Sequence, residues 1–380
     1  MTASENALKY LRLTMVPEVG PIRFASLLRE LGGIDAVLGA SVAMLASAER
    51  VGPRIAENIA RLRDKVDVAS EVALAERHGV RIICLVDDEY PVALSRIDDP
   101  PPCIYIKGKL DRRDVIALAI VGSRSCSRYG AEQAERFGAL AANAGMTVVS
   151  GMARGVDSFA HRGALAAGGR TLAVVGCGLS HVYPPDAVEM SEQIAQHGAV
   201  ISELPMCVAP DAKNFPPRNR IIAGLSLGVL VVEAAKRSGA LLTAHQAIDY
   251  NREVFALAGR VDTPQAAGCL DLIKKGAAKL ATRFEDILEE FGAAGKAMCE
   301  AAAPQPPATL SDSGEFVAMD EPEKQIVAAL AADALGVDDL CEQTGLPPSR
   351  VAVALTALQL KGVVRRLLGE KFERTARKCT

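Results

Sequence analysis

Five segments in the middle of the sequence, four of them containing glycine and four carrying arginine, are suited to holding anions. They are Ile120-Val-Gly-Ser-Arg-Ser-Cys-Ser-Arg-Tyr-Gly130, Ser150-Gly-Met-Ala-Arg-Gly-Val-Asp157, Gly176-Cys-Gly-Leu-Ser-His181, Asn214-Phe-Pro-Pro-Arg-Asn-Arg220 and Glu233-Ala-Ala-Lys-Arg-Ser-Gly-Ala240. Glycine lets backbone amides approach an anion closely, and a helix that starts at such a loop adds partial positive charge. Arg124, Arg128, Arg154, Arg218, Arg220, Lys236 and Arg237 all fall in these segments. The planar guanidinium donates to a phosphate through two parallel hydrogen bonds. Between positions 114 and 260 there are 13 Arg and Lys against 12 Asp and Glu, so the cations are concentrated in a nearly neutral region. That distribution points to a row of phosphate sites and a polyanionic ligand. For any single arginine the structural alternative is a solvated loop charge or an ion pair with Asp157 or Glu233.

Other chemistries fit less well. Gly176-Cys-Gly-Leu-Ser-His181 has two glycines of a dinucleotide fingerprint, lacks the third, and follows the fourth expected strand of the central block rather than the first. No GxxxxGK[ST] segment occurs, which removes support for a P-loop. A nucleotide hydrolase would need a positioned carboxylate or an activated nucleophile. Glu233 is the best candidate, followed by Asp157 and Glu203. Asp157 reads more naturally as the N-cap of a helix starting at Ser158. His161 and His245 fall one turn into their helices and read as packed or hydrogen-bonded side chains.

These loops need strands and helices to position them. Short β-branched runs recur at Val80–Val86, Val115–Val121, Thr147–Val149, Leu172–Val175, Ala199–Ile201, Val229–Val232 and Glu253–Leu257. Alanine-rich segments with helical periodicity lie between several of them, at Ala131–Asn143, Ser158–Ala167 and Thr243–Tyr250. Runs without alternation, separated by helices, predict parallel strands buried on both faces. The expected fold class is α/β: an extended Rossmann-like, doubly wound, mainly parallel sheet over 76–292, with its ligand beyond the carboxyl ends of the strands. Residues 1–75 read as a small all-α domain. Val16-Pro-Glu-Val-Gly-Pro-Ile22 and Arg50-Val-Gly-Pro-Arg54 each lead into an apolar-periodic helix, over Arg23–Leu31 and Ile55–Leu62. The repeat resembles a helix-hairpin-helix element, whose turn amides can hold a DNA phosphate; a helix simply starting with proline is the alternative. Residues 293–318 have the composition of a linker. Residues 319–380 read as a winged-helix-like domain, with helices over Glu321–Ala332, Val337–Thr344 and Pro348–Leu360 and a ribbon over Val363–Phe372.

The whole chain bounds these readings. It has 380 residues, 49% hydrophobic and 23% charged, with a net charge of −3. No stretch is long and apolar enough to span a bilayer, and Met-Thr-Ala-Ser-Glu-Asn lacks a signal-peptide profile, so a cytoplasmic location is expected. The nine cysteines are scattered without a CxxC pair, which argues against a disulfide framework or a zinc site, and no cofactor is expected. Tryptophan is absent and aromatics are 4%, which favours backbone contact over base stacking.

Together, Tyr90-Pro-Val-Ala-Leu, Asp98-Asp-Pro-Pro-Pro-Cys-Ile-Tyr-Ile-Lys-Gly108 and the loops containing Val-Gly-Ser-Arg, Ser-Gly-Met-Ala-Arg-Gly-Val-Asp, Asn-Phe-Pro-Pro-Arg-Asn-Arg and Ser-Gly-Ala-Leu-Leu-Thr-Ala244 resemble the DNA-processing protein A (DprA, Smf) family. The resemblance runs through most of 80–260 in order. It implies a non-enzymatic protein that binds single-stranded DNA without sequence specificity and loads the RecA recombinase in recombination or natural transformation. It further implies a homodimer and single-strand-binding protein as a further partner. By motif it places Gly122, Ser123 and Arg124 at one phosphate and Ser150, Gly151 and Arg154 at a neighbouring one. Asn214, Arg218, Asn219 and Arg220 would line the pocket, with Ser238, Gly239 and Thr243 at its far wall. Arg124→Ala and Arg220→Ala are both expected to weaken binding without unfolding. Phosphoribohydrolases similar to lysine decarboxylases are the enzyme alternative, but their Gly-Gly-x-Gly-Thr loop is here Ser238-Gly-Ala-Leu-Leu-Thr243. A transcription factor centred on the winged helix is a further alternative. Its third helix offers Arg350 and Gln359 and little else to base edges. The C-terminal domain is therefore expected to be an auxiliary or protein-contact module, any DNA contact falling to its basic wing and tail.

Overall fold

The computed structural model describes residues 2–291, 321–330, 335–348, 350, 351, 354, 355, 358, 364–366 and 371–374. The expected linker over 293–318, Gln359 and the basic tail after Arg374 lie outside the described residues. The chain forms two compact units, Met1–Gln305 and Pro306–Thr380.

The first unit opens with six helices: α1 (Glu5–Thr14), α2 (Pro21–Leu31), α3 (Ile34–Gly39), α4 (Val42–Ala46), α5 (Pro53–Leu62) and α6 (Val68–Arg77). Ser4, Ser41 and Asp67 cap α1, α4 and α6 by accepting an amide hydrogen with the side chain. Gly20 and Gly52 precede α2 and α5 with a proline in the first turn, as the repeated Gly-Pro pattern leads one to expect. Leu11, Phe24, Leu27 and Ile59 are buried in one cluster with Ile82, Ala173, Ile194 and Val200 of the sheet region. These helices therefore share a core with the sheet.

The sheet has nine strands: β1 (Val80–Cys84), β2 (Cys103–Gly108), β3 (Ala117–Val121), β4 (Thr147–Ser150), β5 (Thr171–Val174), β6 (Ala199–Ser202), β7 (Gly228–Val231), β8 (Glu253–Leu257) and β9 (Lys279–Ala281). Their order is β1-β2-β6-β5-β4-β3-β7-β8-β9. Strands β3 to β9 pair in parallel, while β2 runs antiparallel to both β1 and β6. Every residue of β3, β4, β5, β6 and β7 is buried, which is what unbroken apolar runs require. A short helix, α7 (Val92–Ser95), follows β1, and the crossovers carry α8 (Arg128–Asn143), α9 (Val156–Ala166), α10 (Val188–His197), α11 (Phe215–Gly224), α12 (Ala240–Asp249) and α13 (Ala267–Lys274). The fold is an extended, doubly wound, mainly parallel α/β sheet. After β3 the chain winds outward through β4, β5 and β6, then returns to place β7 on the other side of β3. That reversal opens a crevice beyond the carboxyl ends of β3 and β7, the place where such sheets bind ligands.

The second unit holds helices over Glu321–Ala329 and Val337–Thr344 and strands over Leu335–Gly336, Val364–Arg366 and Lys371–Arg374. The last two strands pair antiparallel, giving the expected ribbon. Ile326, Leu340, Val351, Leu355, Leu358, Val364 and Phe372 form its core. The expected third helix falls partly outside the described residues. No helix among the described residues is long and apolar enough to cross a membrane.

Candidate nucleic-acid interface

Three chain segments meet at the crevice: the loop after β3, the loop after β7 and the start of α11. The turn after β3 is folded back on itself. The Ser123 amide donates to the Glu233 carbonyl at 2.7 Å, and the Ser125 amide donates to Ser123 Oγ at 3.1 Å. Arg124 is left at the surface, its guanidinium 4.7 Å from the centre of the Phe215 ring. This distance is a cation–π contact. After β7, Ser238 and Gly239 open α12, whose positive end borders the crevice.

The result is a cavity of about 430 Å³ lined by Gly122, Ser123, Arg124, Phe215, Arg218, Asn219, Ser238, Gly239 and Thr243, with Asp157 at its wall. Eight of the residues singled out from sequence thus come together. The remaining five do not line it. Ser150 Oγ is buried and donates to the Ile120 carbonyl at 2.6 Å. Gly151 lies beneath, its carbonyl accepting from Arg218 at 2.7 Å. Asn214 precedes α11 and is not among the residues that line the cavity. Arg154 borders a neighbouring groove of about 310 Å³ together with Arg124. Arg220 is turned inward, where it forms ion pairs with Glu203 and, at 3.4 Å, with Asp99.

Arg218 is a special case, because it is both buried and part of the wall. Its guanidinium donates to the Gly151 and Val174 carbonyls, and its charge lies beside Asp157. Burial pulls its pKa down to about 10, partly offset by that carboxylate, so it remains a cation at neutral pH. Burial pushes the Asp157 carboxyl upward, opposed by Arg218 and by the amides of Ala153 and Gly151.

Several expectations need correction. Asn214–Arg220 was expected as a strand-end loop; from Phe215 onward it is helix α11, started by prolines in its first turn. Asp157 is not an N-cap. Helix α9 begins at Val156, because Gly155 takes φ 82 and turns the chain one step early. The Asp157 carboxylate instead accepts the Gly151 and Ala153 amides at 3.1 and 3.4 Å. Glu233, the leading candidate base, is buried and accepts from the Ser127 amide and hydroxyl at 2.7 and 2.6 Å, which fixes the start of α8. His161, by contrast, is buried and hydrogen-bonded as expected, with Nδ1 2.6 Å from Thr171 Oγ1, and burial lowers its pKa to about 3. His245 is exposed rather than packed.

Sequence reading missed two aromatic rings. Phe215 lines the cavity, and Tyr183 lies against it with ring centres 5.5 Å apart. Aromatics are only 4% of the sequence, yet two of the few rings gather at this site. The signal was present for Phe215, which sits inside Asn214-Phe-Pro-Pro-Arg218.

Residues 81–292 match the family model for DNA recombination-mediator protein A, and residues 300–370 match the DprA winged helix domain. Protein Smf of Synechocystis sp. is 32% identical, over 98% of this chain and 100% of its own length. Protein Smf of Escherichia coli is 38% identical over 82% of each chain. The DNA processing protein DprA of Streptococcus pneumoniae is 42% identical over 54% of this chain and 73% of its own. The X-ray structure of DprA from that species aligns with a TM-score of 0.65 and 32% identity, covering 75% of this chain and 97% of the other.

Proposed function

The chain belongs to the DNA recombination-mediator protein A family, and on that premise we propose that it binds single-stranded DNA without sequence specificity through the crevice between the ends of β3 and β7. The observation that carries this reading is the composition of that cavity. Exposed Arg124 stands over an aromatic ring at its mouth, and backbone turns and a helix start surround it. Arg124 and the helix start offer donors to a phosphate, and the ring offers a face to a base. Gly122, Ser123, Arg124, Ser238, Gly239 and Thr243 are the proposed contacts. Arg218 and Asn219 form the wall beneath, and Arg154 lies next along the track. Ser150, Gly151, Asn214 and Arg220 serve as supports.

A hydrolase reading is less favoured. Two of the three carboxylates considered for it, Glu233 and Glu203, are committed to Ser127 and Arg220. The third, Asp157, receives two backbone amides. In keeping with the family, the proposed role is to hold DNA strands for RecA loading during recombination or natural transformation, as a cytoplasmic homodimer and with no catalysis of its own. Within it, residues 1–75, 76–292 and 319–380 are the proposed helical, DNA-binding and winged-helix-like domains, joined by the linker 293–318.

Fluorescence anisotropy with a labelled dT oligonucleotide and its duplex tests the reading. The wild type is expected to prefer the single strand, and Arg124→Ala to weaken it by about tenfold, the usual scale for one hydrogen bond to a charged group. Duplex preference, or unchanged affinity in the variant, would move DNA binding away from this crevice.

A further inference from the structure

A second concavity adjoins the main one. Its volume is about 310 Å³, and its walls include Arg124, Arg154, Tyr183, Pro184 and Pro185. It shares Arg124, Ser125 and Ala153 with the 430 Å³ cavity, so the two form one continuous track. The Tyr183 ring leans on Phe215 at an interplanar angle of 42° and is 36% exposed. Arg154 is held across the groove's rim by Asp186, with N–O distances of 3.1 and 3.3 Å.

We propose that this groove is a second nucleotide subsite, in which a base stacks on Tyr183 and its phosphate takes Arg154 from Asp186. The inference rests on the single-strand reading above and deepens it. A flat ring backed by Phe215 and flanked by two prolines presents a rigid apolar surface that any of the four bases can stack on. Arg124 stands between the two cavities and contacts the strand where one nucleotide passes to the next. The Arg154–Asp186 pair is exposed on both sides, with side chains 66% and 63% accessible. Such a pair gives up little when it opens. The Asp186 carboxyl lies below its ordinary range because Arg154 donates to it, so it is an anion at neutral pH and competes with phosphate for the same guanidinium. Asp186 thereby weakens DNA binding in the resting protein.

Abasic DNA separates stacking from phosphate contact. The full-length protein is titrated by anisotropy with a dT oligomer and with an equally long oligomer of abasic tetrahydrofuran units. Tyr183→Ala is expected to weaken dT binding by about tenfold and abasic binding by less than about twofold, within the range seen for one base–aromatic stack. Tyr183→Phe should bind both as the wild type does, and Asp186→Asn should bind both more tightly. Should Tyr183→Ala melt early, Tyr183→Leu keeps the apolar volume without the flat ring and is expected to show the same selective loss. Equal loss on both oligomers would mark Tyr183 as a structural support only, and no loss would remove it from the track. Weaker binding by Asp186→Asn would overturn the competition. If dT binding is lost in Arg124→Ala but indifferent to Tyr183→Ala, the subsite alone fails. If the wild type shows no single-strand preference, the DNA-binding reading fails and the subsite falls with it.

Discussion

Four arginines of the segments singled out from sequence do three different things. Arg124 and Arg154 are exposed and available to a ligand, Arg218 props the turn after β4 from beneath, and Arg220 ties three segments together. Arg220 binds Glu203 after β6 and Asp99 before β2, and Asp99 accepts the hydroxyl of Tyr250, which ends α12, at 2.5 Å. Its side chain is 5% exposed. Removing one member of a buried pair strands the other charge, which typically costs about 3 kcal/mol. The expectation from sequence that Arg220→Ala would weaken binding without unfolding is therefore replaced. Urea denaturation should show Arg220→Ala less stable by about 3 kcal/mol, while Arg124→Ala stays within about 0.5 kcal/mol of the wild type. A wild-type midpoint for Arg220→Ala would mean that Glu203 and Asp99 are satisfied without it.

At the scale of elements, the loop after β4 is locked to the loop after β3. The Val156 amide donates to the Ser123 carbonyl at 3.2 Å, and a Cβ on Gly155 would run into the carbonyls of Ser123 and Arg124. Gly155 also has φ 82 and ψ −134, which L side chains rarely adopt. Gly155→Ala should therefore cost more than about 2 kcal/mol of stability and displace the Arg124 loop. Its single-strand affinity should fall at least as far as that of Arg124→Ala; wild-type stability and affinity together would show that the two loops are not coupled. The sequence made most of the sheet legible, since five strands are continuous apolar runs with helices between them. It hid β2 and β9, and with β2 the antiparallel pairings at that edge, as in the register Cys84↔Cys103, because pairing direction depends on how the chain returns and no periodicity within one strand records it. The site was legible where it consists of backbone turns, as at Gly122, Ser123, Ser238 and Gly239. It was illegible where side-chain direction decides. Arg218 and Arg220 are two residues apart, which on a helix places them about 200° apart. Only knowing that α11 is a helix shows that one faces the cavity and the other the Glu203 pair.

The whole molecule carries a net charge of −3, so no long-range positive field draws DNA to it. On the proposed reading, binding comes from the few cations gathered at the sheet's carboxyl edge, and the salt dependence counts them. Each phosphate neutralised on a single strand lowers the log–log slope of affinity against salt by about 0.7. Arg124 and Arg154 line the two cavities, and Lys236 and Arg237, both exposed, follow β7. Two to four contacts give a slope of about −1.4 to −2.8, shallow for a DNA-binding protein but well away from zero. Arg124→Ala should lower the affinity at every salt concentration and reduce the slope by about 0.7, because one phosphate contact is gone. Asp186→Asn should raise the affinity and leave the slope unchanged, since Arg154 neutralises the same phosphate in both proteins. A flat slope in the wild type would mean that stacking on Phe215 and Tyr183, rather than phosphate capture, supplies the affinity. The glycine-rich turns would then serve to build the crevice and not to hold the strand.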